Sequence, residues 1–135
     1  MKIRILLADD HMIFRSALRM VLEMAPDIEI VGEAANGHAV LEAIGESRPE
    51  VVCMDLSMPG LSGIETTRQL LARHPEMKVI GLSAHVDPLR IAEMIEAGAL
   101  GYVAKMAVGE ELMLAIRTVN RNQTYFSSGL DLQPR

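Results

Sequence analysis

The chain has 135 residues and a formal charge of −5; half of it is apolar, with ten Met, two Phe, two Tyr and no Trp. That length suits one domain with an aliphatic and methionine-filled core, and the negative balance, without any basic run, argues against this chain itself gripping nucleic-acid phosphates. The single Cys53 excludes an internal disulfide, Met1 leads into a strand pattern instead of a signal peptide, and no apolar run approaches the ~20 residues of a membrane span, so a cytoplasmic location without membrane contact is expected.

Short apolar runs alternate with segments of helical period. Ile3 to Ala8 reads as a strand, followed by a helix with Phe14, Ala17, Leu18, Val21 and Leu22 on one face. Ile28 to Ala34 is a second strand, and Gly37 to Ser47 a helix with Val40, Ala43 and Ile44 inward, ended at Arg48-Pro49. Val51 to Met54 is a third strand, and after a Pro-Gly turn comes a helix carrying Ile64, Thr67 and Leu71, stopped by His74-Pro75. Val79 to Leu82 is a fourth strand. Asp87-Pro88 caps a helix that runs to Ala97 and ends at Gly98, Gly101 to Ala104 is a fifth strand, and Leu112, Ala115, Ile116 and Val119 mark the last helix.

The alternation gives α/β class: a (βα)5 doubly wound parallel sheet of five strands in flavodoxin-like order 2-1-3-4-5. Glu29 and Glu33 place the second strand at an edge, whereas the first, third and fourth are nearly all apolar, as central strands are. Ligands of such sheets bind beyond the carboxyl ends of the strands, at the switch point between the first and third.

The residues that follow the strands are Asp9 and Asp10, then Asp55, Ser83 and Lys105. Taken singly, each acid reads as a solvated loop residue or a helix cap. Together, three carboxylates on adjacent central strands repel one another unless a cation or proton intervenes. Mg2+ suits them, as a hard ion held by one or two carboxylates plus a phosphate. Asp55 offers an oxygen nucleophile for a phosphoryl group, Lys105 a counter-charge, and Ser83 a hydroxyl donor.

Asp9-Asp10, the stretch Asp55-Leu56-Ser57-Met58-Pro59-Gly60-Leu61-Ser62-Gly63, Ser83-Ala84 and Tyr102-Val103-Ala104-Lys105 resemble a response-regulator receiver domain over roughly residues 2 to 122. The resemblance implies that Asp55 accepts phosphate from a histidine kinase, that Asp10 binds Mg2+ directly and Asp9 through water, and that the Ser57 carbonyl adds a ligand. It also implies that Ser83, where the family more often has Thr, and Lys105 contact the phosphoryl group. Tyr102 becomes a switch residue coupled to Ser83, and His85 a residue that tunes phosphate lifetime. Ala8-Asp9-Asp10-His11, Val31-Gly32-Glu33-Ala34-Ala35-Asn36-Gly37 and Gly101-Tyr102-Val103-Ala104-Lys105 resemble the NarL/FixJ (LuxR-type) branch, whose members usually carry a C-terminal helix-turn-helix. Residues 123–135 then read as the start of an interdomain linker or a tail, and the chain as a truncated regulator, with a free-standing single-domain receiver as the alternative. DNA would be reached only through the missing domain, and phosphorylation would promote a homodimer.

His11 reads as part of a helix start and not as a metal ligand, since one imidazole among carboxylates would suit zinc and no further soft ligand accompanies it. Cys53 reads as a small core hydrophobe, and Met12, Met20, Met24, Met94, Met106 and Met113 as core or partner surface. A haloacid-dehalogenase-type phosphatase would separate its two strand-end acids by one residue, and a flavodoxin would need a phosphate-binding loop where Asp9 and Asp10 stand. An enzyme acting on an external substrate is therefore not expected. A phosphorylation-independent interaction module would lack an acid, acceptor or lysine, and none is missing.

Overall fold

The computed structural model describes residues 2–84, 87–107 and 109–126. Its elements in chain order are β1 (Ile3–Ala8), α1 (Met12–Leu22), β2 (Ile28–Ala34), α2 (Gly37–Ser47), β3 (Val51–Asp55), α3 (Gly63–Arg73), β4 (Lys78–Ser83), α4 (Pro88–Ala97), β5 (Gly101–Ala104), a 3-10 turn (Lys105–Ala107), α5 (Glu110–Asn120) and β6 (Tyr125–Phe126). The strands form one parallel sheet in the order β2-β1-β3-β4-β5-β6.

The expected doubly wound order is present, with one strand more than the five read from the sequence. β6 pairs with β5, and the Tyr125 amide donates to the Leu100 carbonyl at 3.0 Å. Two residues are too few to display a period, so β6 has no sequence signature of its own. It arises from the segment that follows α5, where a linker or tail was expected to begin.

Strand alternation divides the core into two layers. Leu6, Ala8, Val52, Met54, Val79 and Tyr102 pack on one face with Val40, Ile44, Ile64, Leu70, Ile91 and Met94 from α2, α3 and α4. Ile5, Leu7, Val51, Cys53, Ile80, Leu82 and Val103 face the other way, against Leu18 and Leu22 of α1 and Leu112, Ala115, Ile116 and Val119 of α5. Central strands covered on both faces need apolar residues at every position, and β3 is buried throughout. Burial pushes the Cys53 thiol up to about 12, consistent with an unreactive core residue. β2 lies at an edge as expected; pairing jumps from Ile5↔Ile30 to Leu6↔Gly32, which leaves Val31 as a bulge.

Local signals set the helix boundaries. The Asp87 carboxylate accepts from the Leu89 amide at 3.0 Å at the start of α4, and Gly98 ends that helix at φ 107°, a left-handed value that glycine adopts without strain. Asn36 caps α2 through the Ala39 amide at 2.8 Å, and Ser62 caps α3 through the Glu65 amide at 3.1 Å. α1 departs from expectation: Ala17, assigned to the buried face, is exposed, and Met12, Ile13, Met20 and Met24 face solvent as well. The buried stripe is narrower, centred on Leu18 and Leu22, with Phe14 and Val21 half-buried. Met94 is buried and Met113 half-buried, whereas Met106 is exposed, so the methionines divide between core and surface. Among the described residues no helix is long and apolar enough to cross a membrane.

Candidate functional site at the carboxyl ends of β1, β3, β4 and β5

The central strands end in chemistry. Apolar residues fill β3 up to Met54 and then give way to Asp55, which is only 1 % exposed, and β4 ends in the equally buried Ser83. Both residues close their strands instead of following them, as the sequence reading placed them, and so ladder pairing fixes their backbones. Asp9 and Asp10 stand just beyond β1, and Lys105 just beyond β5. Parallel pairing of β1 with β3, β3 with β4 and β4 with β5 brings these ends to one edge.

Lysine organises the acids. The Lys105 Nζ lies 2.8 Å from Asp9 Oδ2 and 3.4 Å from Asp55 Oδ2, and 4.6 Å above the Phe14 ring of α1. Asp55 Oδ1 accepts the Ser57 amide at 3.2 Å, which fixes the carboxylate plane through the β3–α3 loop. Asp9 Oδ1 accepts the His11 amide at 2.8 Å, and the Arg15 guanidinium donates to the Asp9 carbonyl. The floor is tight: a Cβ on Gly63, the first residue of α3, would overlap the Asp55 carbonyl and come within 2.8 Å of the Leu56 Cα. Glycine there lets α3 begin directly against the end of β3.

Three carboxylates face one ammonium. Burial raises the Asp55 carboxyl above its usual value; the Ser57 amide opposes this, the Asp9 charge adds to it, and Lys105 lowers it again. Asp9 Oδ2, Asp10 Oδ1 and Asp55 Oδ2 are buried oxygens without a hydrogen bond; the lysine beside two of them is an ion-pair partner and not an aligned donor. Hard carboxylate oxygens that converge with one ammonium among three acids fit a divalent cation, and ligand atoms of Asp9, Asp10, His11 and Asp55, one from each, lie within 4.8 Å of one another.

Tyr102 is 1 % exposed, so its ring lies inward. Burial raises its phenol above the usual value; a hydrogen bond with Ser83 and the Arg90 charge oppose this, and Asp87 adds to it. The two residues assigned to switching are thus in contact. Ser57, on the exposed loop, also places its Oγ 3.3 Å from the Arg90 guanidinium of α4. Asp9, Asp10, Asp55, Ser57, Ser83, Tyr102 and Lys105 therefore meet at one edge, while His85 lies outside the described residues. Sequence reading missed the parts of Phe14 and Arg15 at this site, since six and seven residues past the end of β1 they carry no signal until α1 is oriented. Three clefts of about 310, 220 and 330 Å3 surround Glu76 and Met77 and contain none of these groups.

Residues 5–117 match the response regulator receiver domain. The chain belongs to that family. It is 37% identical over 131 residues to response regulator UvrY of Escherichia coli (strain K12), covering 97% of this chain and 60% of that protein. It is 39% identical over 126 residues to transcriptional regulatory protein LiaR of Bacillus subtilis (strain 168), covering 93% and 60%. The receiver also resembles a solved LuxR-family two-component response regulator from Aurantimonas sp. SI85-9A1, with a TM-score of 0.92, 32% identity and coverage of 96% and 93%. This is a receiver domain of the LuxR/NarL type. The chain spans between half and two thirds of the length of the curated relatives it matches.

Proposed function

We propose that this receiver takes up a phosphoryl group on Asp55 from a histidine kinase, in the presence of Mg2+, and thereby controls a C-terminal LuxR-type helix-turn-helix that lies beyond this chain. The observation that carries the reading is the Asp55 carboxylate, buried, with one oxygen fixed by the Ser57 amide and the other beside Lys105 without a hydrogen bond.

Asp55 attacks phosphorus through an oxygen. The new O–P bond forms as the P–N bond of the donor phosphoimidazole breaks, and the imidazole leaves with the bonding pair and takes a proton. Lys105 draws charge from the phosphoryl oxygens as its pairing with Asp55 loosens, and the Ser83 hydroxyl donates to one of them. Asp10, Asp55 and the Ser57 carbonyl would hold a divalent ion directly, and Asp9 through water. When bound, that ion neutralises charge on the acids and the incoming phosphate. Met12, Ile13 and Met106, exposed and one or two residues from His11 and Lys105, give the pocket an apolar rim suited to a protein donor.

Ser83 and Tyr102 already touch, so a shift of the hydroxyl toward the phosphoryl group disturbs Tyr102 and the adjoining α4–β5 surface, and phosphorylation promotes a homodimer. The receiver catalyses only its own phosphorylation and slow dephosphorylation, in the cytoplasm. The test is intact mass after incubation with a small-molecule phosphodonor and Mg2+. One phosphoryl group is expected on the wild type and none on Asp55→Ala; an equal gain by the variant overturns the assignment.

A further inference from the structure

The pocket contains a donor that carboxylate chemistry alone does not require. His11, at the start of α1, makes no side-chain capping hydrogen bond, so its imidazole does not serve the helix. Instead Nδ1 lies 3.2 Å from Asp9 Oδ1, 3.4 Å from Asp10 Oδ1 and 4.0 Å from Asp55 Oδ2. Two donors held at about 2.1 Å from one ion stand about 3.0 Å apart at a right angle, about 3.4 Å at the tetrahedral angle and about 4.2 Å when opposite. All three separations fall in that span.

We propose that His11 Nδ1 is a further protein donor of this pocket, and that it biases the receiver toward a borderline-soft divalent ion of the Co2+ or Zn2+ class over Mg2+. The inference rests on reading the strand-end acids as a metal site. It goes further in naming a nitrogen ligand and the ion class that follows from it, because imidazole suits late first-row metals whereas Mg2+ prefers oxygen. Asp55 Oδ2 supplies the second observation: it is buried, lacks a hydrogen bond and faces the same space. At Asp9 the Lys105 ammonium stands at Oδ2 and the imidazole Nδ1 at Oδ1, so the two take different oxygens of that carboxylate, while at Asp55 Oδ2 the ammonium is nearer, 3.4 Å against 4.0 Å.

The rival role for His11 is to orient Asp9 by donating an Nδ1 proton. That oxygen already accepts the His11 amide at 2.8 Å, so its orientation is set without the ring. The two roles separate by ion. A ligand lost from the pocket weakens late metals selectively, whereas a lost orienter weakens every metal that Asp9 helps to hold.

The experiment titrates the whole chain with single metals and no phosphodonor. Co2+ is followed by absorption and Mn2+ by electron paramagnetic resonance, and Mg2+ is measured by competition against Mn2+. The proteins are wild type, His11→Ala, His11→Asn and Asp10→Asn. His11 is 63 % exposed, so both of its variants are expected to keep the fold, which circular dichroism checks. Both His11 variants are expected to lose about tenfold or more in Co2+ affinity while Mg2+ affinity stays within about twofold. Nitrogen-14 coupling to bound Mn2+ is expected in the wild type and absent from His11→Ala. Unchanged Co2+ affinity, or an equal loss for Mg2+, overturns the inference while Mg2+ binding sensitive to Asp10→Asn leaves the proposed function standing. Failure of the wild type to bind any of the ions overturns both.

Discussion

Two groups of charges in this receiver differ in a way that separates function from support. On the flank, Asp27 and Arg117 form a two-bonded pair at 2.7 and 2.9 Å that ties the α1–β2 loop to α5, and Arg15 and Arg19 share Glu33 at 2.7 and 2.6 Å. With Glu23, 3.4 Å from Arg19, three acids there meet three arginines, and the Asp27–Arg117 pair is about 40 % exposed. At the strand ends, three acids meet one lysine, and Asp9 and Asp55 are only 1 % exposed. Matched surface pairs hold elements together at little cost or gain. An unmatched buried cluster is costly to the apo fold, and the proposed cation would relieve it.

The largest way to break this contrast is at the lysine. Lys105→Ala leaves the acids uncompensated and removes the positive charge from the phosphoryl group, so transfer to Asp55 should slow by about 100-fold. Rates from a small-molecule phosphodonor check this; a change below about threefold would place Lys105 among the merely structural charges. Gly63→Ala comes next. Its methyl has to displace β3 backbone, so a loss of about 1–3 kcal/mol in urea unfolding is expected, together with slower phosphorylation. Gly45, in α2 with open space around it, provides the control: Gly45→Ala should gain about 0.5–1 kcal/mol.

Asp55→Asn should stabilise the metal-free protein by about 1 kcal/mol or more, since it removes one buried charge and leaves Lys105 matched to Asp9. The sign carries a pH signature. Because the folded-state carboxyl titrates above its ordinary 3.8, its contribution is fully present below that value and is lost as pH rises through the folded-state pKa. The advantage of Asp55→Asn in thermal unfolding should therefore grow from acid toward neutral pH. The smallest effect belongs to the flank. Arg117 holds Asp27 below its usual value through their hydrogen bonds, so this pair contributes above about pH 3.8 and fades as pH falls through the lower folded-state pKa. Asp27→Asn should cost under about 1 kcal/mol at neutral pH and leave phosphorylation unchanged.

The contrast also explains what the sequence made legible. Strand order, the edge position of β2, the caps at Asp87 and Gly98 and the meeting of Asp9, Asp10, Asp55, Ser83 and Lys105 follow from alternation and from the carboxyl-edge rule. β6 was hidden because two residues carry no period, and it forms by pairing with the free edge of β5. The approach of His11 Nδ1 to the acids was hidden because it depends on the extended backbone at φ −87° and ψ 98° that starts α1, which residue type does not specify. Ala17 misled for a related reason: in a helix with apolar residues on nearly every side, period alone does not decide which face is covered.

The central claim is that, among the strand-end acids, Asp55 is the one that receives the phosphoryl group. The most direct measurement is borohydride trapping of the phosphorylated receiver, which reduces an acyl phosphate to a homoserine side chain, followed by peptide mass mapping. The account predicts homoserine at residue 55 alone; trapping at Asp9 or Asp10, or phosphate retained on a histidine, would contradict it.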